Sequence, residues 1–209
     1  MKSRFPITVP LVLALCLTAT IPAFAQQSGS QQPPGSAGLT HPDSFSRGDQ
    51  TLSLTTGFQI PLFIVPDPTP LPGSELLLGG SFAFTYQYFL TSHLAIGGTL
   101  NGAFNGTVGG RSLFIAPLSF RTAYWWTRGS LEAGLGLEAG AYLMRLNSYG
   151  MIGPFAKFGP ALAWRITDGW SIGTQLYYWF VPEIHTGDYA SETRFGNFLE
   201  FSFAAVYHL

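Results

Sequence analysis

Charge is what this chain has least of. Asp, Glu, Lys and Arg together make up 10% of its 209 residues, and there is one cysteine, Cys16. A lone cysteine excludes an internal disulfide framework and a thiolate-rich metal centre. With 10 basic against 11 acidic residues, no basic face is available to neutralise phosphates, which excludes nucleic acid as a partner. Beyond the N-terminus, no apolar run approaches the roughly 20 residues that a membrane-spanning helix requires. What is plentiful is Gly (25), Phe (18), Tyr (9) and Trp (5). Few charges and many aromatic and glycine residues suit a barrel in lipid better than a soluble domain of this length.

The N-terminus has the order of a secretory signal: Lys2 and Arg4, an apolar run from Ile7 to Ile21, then Ala23, Phe24 and Ala25 before Gln26. Cleavage after Ala25 is expected. A lipoprotein signal built on Cys16 needs a small residue before the cysteine, and Leu15 stands there. Removal of residues 1–25 takes Lys2, Arg4 and Cys16, leaving 10 − 2 = 8 basic residues against 11 acidic ones. Residues 26–48, with Pro33, Pro34, Gly35 and Pro42, carry almost no apolar periodicity and predict a flexible periplasmic tether. Residues 49–209 form the folded domain.

From Asp49 onward, apolar side chains fall on every second residue through eight consecutive stretches. Leu199, Phe201, Phe203, Ala205, Tyr207 and Leu209 alternate with Glu200, Ser202, Ala204, Val206 and His208. Trp170, Ile172, Thr174, Leu176, Tyr178 and Phe180 alternate with Ser171, Gly173, Gln175, Tyr177 and Trp179. Successive strand side chains point to opposite faces, so each stretch reads as a strand with one apolar and one mixed face. The predicted strands are 50–64, 76–90, 93–105, 111–126, 130–146, 153–166, 169–181 and 194–208.

Tight turns at 91–92, 127–129 and 167–168 alternate with longer connections at 65–75, 106–110, 147–152 and 182–193. An even strand number with short turns on one side and longer loops on the other predicts an all-β, eight-stranded antiparallel up-and-down transmembrane β-barrel. Tyr88, Tyr124, Trp126, Trp164, Trp170 and Tyr207 fall on the outward parity near the turn side, as an interfacial girdle would. Phe104, Phe114, Tyr178, Phe180 and Phe195 fall near the other rim. A soluble sandwich has little reason to place outward Trp and Tyr in two belts. Pro61, Pro117 and Pro160 run against the pattern, because each removes a ladder donor inside a predicted strand.

The inward parity collects Arg121, Glu132, Glu138, Lys157, Arg165 and Glu200. Three acids meet three bases, which predicts a paired network rather than a pore lined by one sign of charge. Glu132 with Arg165 falls near the turn side; Arg121, Glu138, Lys157 and Glu200 fall nearer the middle. Phe63, Phe89, Trp125, Tyr142, Phe155, Tyr177, Trp179 and Phe198 share the inward parity, with glycines such as Gly134 and Gly136 making room beside them. Eight strands enclose a space that side chains can fill, so a plugged lumen is expected.

No catalytic residue, cofactor-binding residue or metal site is assigned. His185 shares the loop 182–193 with Glu183, Asp188, Tyr189, Ser191 and Glu192, a composition that reads as a solvated surface loop. A hydrolytic site or a metal site at Glu183, His185 and Asp188 is the weaker reading. Pro66, Pro68, Pro70 and Pro72 stiffen the first long loop.

On this layout the mature chain resembles the small eight-stranded outer-membrane barrels, such as the OmpA transmembrane domain, OmpX and OmpW. Phe201, Phe203, Tyr207 and Leu209 look like the carboxyl-terminal signal read by the barrel-assembly machinery, with Leu where most such signals end in Phe. The resemblance implies integral placement in a Gram-negative outer membrane after secretion through the inner membrane. It implies outer-membrane lipid, assembly machinery and periplasmic chaperones as partners, and a non-enzymatic structural or surface role carried by the loops. A narrow OmpW-like channel for small hydrophobic compounds is the second reading, and an enzyme acting on outer-leaflet lipid the third.

Overall fold

The computed structural model describes residues 45–66, 76–146 and 149–209. Eight strands follow one another: β1 (Gln50–Val65), β2 (Leu76–Phe89), β3 (Leu94–Thr107), β4 (Ser112–Arg128), β5 (Leu131–Leu146), β6 (Tyr149–Thr167), β7 (Trp170–Glu183) and β8 (Arg194–His208). Every pairing is antiparallel and between sequence neighbours, and β8 pairs back with β1 to close the barrel. Closure leaves no edge strand with unpaired backbone groups. Gly129 takes a φ of +56°, where a side chain would be strained, and turns the chain from β4 into β5. No helix among the described residues is long and apolar enough to cross a membrane. The expected signal (1–25), most of the expected tether and positions 67–75 of the proline-rich loop lie outside the described residues.

The outward faces are apolar and exposed, with Leu54 and Leu118 each more than 60% accessible while their neighbours in sequence are buried. Such a surface is tolerable only against lipid or another apolar phase.

Three prolines stand where the ladder is interrupted, and it also shifts, with no proline nearby, between Leu76 and Gly79 and between Arg165 and Thr167. Between β1 and β8 the register shifts from Pro61 to Phe63, with Leu62 as the extra residue. That bulge turns Phe63 outward, to 47% exposure, and corrects its expected inward position. Across β3 and β4 the pairs jump from Leu100–Leu118 to Ala103–Ile115, skipping Pro117; across β6 and β7 they jump from Phe158–Tyr178 to Ala161–Gln175, skipping Pro160. β6 begins at Tyr149 rather than at 153, so most of the expected 147–152 loop is strand. The loop after β7 contains a short 3-10 turn at Gly187–Glu192.

Phe45, which the sequence assigns to the tether, is buried at 4% exposure. Its ring stacks on Phe89 at 3.9 Å, and the chain beyond it is held by the Gly48 amide donating to the Phe89 carbonyl at 2.9 Å. Phe45 thus packs inside the rim where β1 begins and β8 ends.

Candidate functional site: the barrel interior

Three layers fill the lumen. The middle one is charged. Arg121, Glu138 and Lys157 stand directly opposite one another on β4, β5 and β6, in the pairs Arg121–Glu138 and Glu138–Lys157. Arg121 Nη1 meets Glu138 Oε1 at 2.6 Å, and Lys157 Nζ meets Glu200 Oε2 at 2.9 Å. Each charge has further partners. Glu138 Oε2 accepts from Asn101 at 3.1 Å and Ser119 at 3.0 Å; Arg121 donates to Gln87 at 3.3 Å and to the Tyr177 hydroxyl at 2.6 Å. Lys157 donates to Asn101 Oδ1 at 3.0 Å, and Trp179 Nε1 donates to Glu200 at 2.6 Å. Lys157 also sits 4.7 Å from the centre of the Tyr177 ring, a cation–π distance. All four charged groups are buried, and with this many partners their removal from water is compensated.

A second pair lies nearer the rim that carries the chain ends. Arg165 Nη2 meets Glu132 Oε1 at 2.6 Å, and its guanidinium lies 5.2 Å from the centre of the Phe45 ring. His208 joins this group, with Nδ1 3.4 Å from Arg165 Nη2 and Nε2 2.7 Å from Ser171 Oγ. Arginine can only donate, so Nδ1 accepts and the imidazole proton sits on Nε2, aimed at Ser171. A serine beside a histidine resembles a nucleophile and its base. Here, however, Arg165 occupies the side where an orienting carboxylate belongs, and Ser171 is fully buried beneath the Phe45 layer. These contacts tie the end of β8 to the start of β7 and to β6. Sequence reasoning missed them because Ser171 and His208 meet only where the ends of β7 and β8 run side by side.

Aromatic and aliphatic clusters close both ends. Phe45, Phe89, Trp125 and neighbouring alanines form one; Tyr142, Phe155, Trp179, Phe198 and Ile115 form the other, towards the loop rim. Trp179 meets Phe155 edge-on at 5.1 Å, and the Tyr142 hydroxyl donates to the Pro182 carbonyl at 2.7 Å. Gly134 gives Trp125 its place: a Cβ there would lie 2.7 Å from the indole. Gly136 does the same for the Tyr177 hydroxyl and Arg121. Gln175, expected inward among the polar residues, is half-buried beside the gap at Pro160.

On the outer surface Tyr124, Trp126, Trp164, Trp170 and Tyr207 are exposed and Tyr88 is half-buried. Tyr124 packs on Trp126 at 4.8 Å and Trp170 on Tyr207 at 5.0 Å. Phe201 and Phe203 touch edge-on at 5.2 Å on the same outward face of β8, and Leu209 is anchored by its amide, which donates to the Gln50 carbonyl at 2.9 Å. In the loop after β7, His185 Nε2 lies 3.1 Å from Glu183, and its backbone is tied to Thr193. No cluster of three or more His, Cys, Asp or Glu suited to a metal ion occurs among the described residues.

A closed antiparallel barrel, apolar outside and packed with paired charges and rings inside, defines a small transmembrane β-barrel protein. A protein-family model matches residues 13–207, and the chain belongs to that family over nearly its whole length. Its architecture is that of the small eight-stranded outer-membrane β-barrels. Neisserial surface protein A superposes with a TM-score of 0.53 at 10% identity, covering 78% of this chain and 96% of that one. The outer membrane protein OprG of Pseudomonas aeruginosa gives 0.52 at 9% identity, covering 80% and 98%. In sequence, the chain is 26% identical over 182 residues to an uncharacterized protein of Treponema pallidum (strain Nichols), covering 79% of this chain and 81% of the relative.

Proposed function

We propose that this protein is a non-enzymatic, integral outer-membrane barrel with a sealed lumen, acting as a structural element of the envelope or as a surface-interaction scaffold. The observation that carries the reading is the interior: neutral, charge-paired across Arg121–Glu138 and Lys157–Glu200, and closed at both ends by aromatic clusters. In this reading both termini lie in the periplasm, the outward rings of Tyr124, Trp126, Trp164, Trp170 and Tyr207 sit at the periplasmic interface, and the loop 182–193 faces outside the cell. Phe201, Phe203, Tyr207 and Leu209 serve as the assembly signal, with periplasmic chaperones delivering the secreted chain. The test is a host strain lacking the protein, scored for leakage of a periplasmic reporter and complemented by two forms. Rescue by the wild type and by a form whose 184–193 segment is replaced with Gly-Ser assigns the role to the barrel body. Rescue by the wild type alone assigns it to the loop. Equal leakage with and without the protein counts against an envelope role.

One observation favours a second reading, passage of small hydrophobic compounds through the wall. Where the β6–β7 ladder skips Pro160, a groove of about 450 Å³ opens on the outer face, lined by Trp126, Leu135, Pro160, Leu162, Leu176 and Phe201, with Gln175 among its lining residues. Proline cannot donate across this seam. Uptake of a small, sparingly membrane-permeable hydrophobic compound faster than into protein-free vesicles, and slowed by Pro160→Ala, would move this reading to first place; the sealed-barrel reading predicts the protein-free rate for both forms.

A further inference from the structure

Three methionines occur in the chain, Met1 and the pair Met144 and Met151, and residues 17–209 contain no other sulfur atom. The ladder sets the pair face to face. Met144 on β5 stands directly opposite Met151 on β6, and Ile115 on β4 stands on the other side of Met144. Both lie on the inward parity, close to where β5 ends at Leu146 and β6 begins at Tyr149, and both are half-buried. Opposed residues have Cβ atoms about 5 Å apart, so the two thioethers share one space. Met144 packs against the loop-side cluster that contains Leu113, Ile115, Tyr142 and Trp179. The Tyr149 hydroxyl lies 3.8 Å from Met151 Sδ.

The backbone ladder is incomplete at this place. β6 pairs with β7 only as far as Ala156–Phe180, yet it runs on beside β5 to Tyr149. In the same way β7 continues beside β8 to Glu183. Above Ala156 the two strands are therefore joined by side chains and not by ladder bonds. Trp179 meets Phe155 edge-on at 5.1 Å, and the Tyr142 hydroxyl reaches from β5 to the Pro182 carbonyl at 2.7 Å. A closure made largely of apolar packing is sensitive to a polar atom placed within it, because burying such an atom without a partner is costly.

We propose that Met144 and Met151 form a modification site for hydroperoxides, at which oxygen transfer to sulfur loosens the loop-side closure of the barrel. The sulfur lone pair attacks one peroxide oxygen and the O–O bond breaks. The departing oxygen takes the proton of the transferred one and leaves as water, or as an alcohol from an organic hydroperoxide. Sulfur is oxidised to the sulfoxide and the peroxide is reduced. A flexible apolar side chain thereby becomes a polar one. At Met151 the Tyr149 hydroxyl is placed to donate to the new oxygen. At Met144 the ladder neighbours are Ile115 and Met151, so the sulfoxide is expelled from the cluster and the packing on Tyr142 and Trp179 is lost. The site is independent of the envelope role proposed above. That reading supplies only the side from which oxidants arrive, since it sets the loop rim outside the cell.

The experiment treats the full-length mature protein, folded in lipid vesicles, with hydrogen peroxide. Peptide mass spectrometry follows oxygen uptake at each methionine, and urea unfolding read by gel mobility follows the barrel. The folded wild type should gain one oxygen at Met144 and one at Met151. Its unfolding equilibrium constant should then rise about tenfold, as a polar group enters apolar packing. Met144→Leu/Met151→Leu, close to the wild type in volume, should fold, gain no oxygen and keep its unfolding constant under peroxide. Methionines that take oxygen only after urea has unfolded the barrel overturn the proposal, as does a doubly oxidised barrel as stable as the untreated one. An equal loss of stability in the double leucine variant also overturns it, because the damage would then lie at another group.

Discussion

Replacing Glu138 with alanine removes the carboxylate that holds the centre of the lumen together. Arg121 loses its 2.6 Å ion pair while keeping Gln87 and Tyr177, and Asn101 and Ser119 each lose an acceptor. A guanidinium that is 2% exposed cannot turn to water. Breaking a buried pair from one side costs about 3–5 kcal/mol, while Asn101 and Ser119 keep longer bonds, to Ser119 Oγ at 3.3 Å and to the Thr99 carbonyl at 3.4 Å. Burial also makes the loss insensitive to salt, since exposed charges are screened and enclosed ones are not. The assay is urea unfolding in lipid vesicles, followed by tryptophan fluorescence and gel mobility, on the wild type, Glu138→Ala, Arg121→Met and the double variant Arg121→Met/Glu138→Leu. The double variant should recover most of the loss, because replacing both partners by apolar groups of similar volume is close to neutral. A loss below about 1 kcal/mol in Glu138→Ala, or a double variant as unstable as the two single losses added together, would refute the reasoning.

Two further outcomes are expected. Phe45→Ala should destabilise the barrel by about 3 kcal/mol through loss of its stacking on Phe89 and of the cover over His208, yet remain electrically silent, because the Tyr142–Trp179 cluster still closes the far end; urea midpoints and bilayer recordings on the same preparation check both halves. Leu209→Phe should speed assembly by purified assembly machinery in vesicles without changing the urea midpoint, since the ring points outward from the end of β8, and an unchanged rate would argue against a recognition role for the last residue.

Much of the barrel was legible because a period of two is hard to hide over eight strands. Counting from the turns puts Arg121, Glu138, Lys157 and Glu200 near the middle of the inward face and Glu132 at the level of Arg165; the direct opposition of Arg121, Glu138 and Lys157 is visible only in the ladder, because it depends on where each turn closes. Parity failed where one residue was inserted: Leu62 at the Pro61 bulge sends Phe63 outward, and no alternation pattern announces it. The start of β6 was misread because Gly150, Gly153 and Pro154 interrupt the apolar rhythm, although the ladder with β5 continues through them to Tyr149. Phe45 was invisible for a different reason. One ring in a stretch of Ser, Pro and Gly has no period, and only the closed mouth of the barrel gives it a place. The meeting of Ser171, His208 and Arg165 likewise depends on the closed rim, not on spacing within any one strand.

Single-channel recording of the refolded wild-type protein in planar bilayers tests the sealed lumen most directly. A silent membrane, with insertion verified by gel mobility on the same material, is the predicted result. Steady openings whose conductance changes in Glu138→Ala would show that ions pass the central network, and would contradict it.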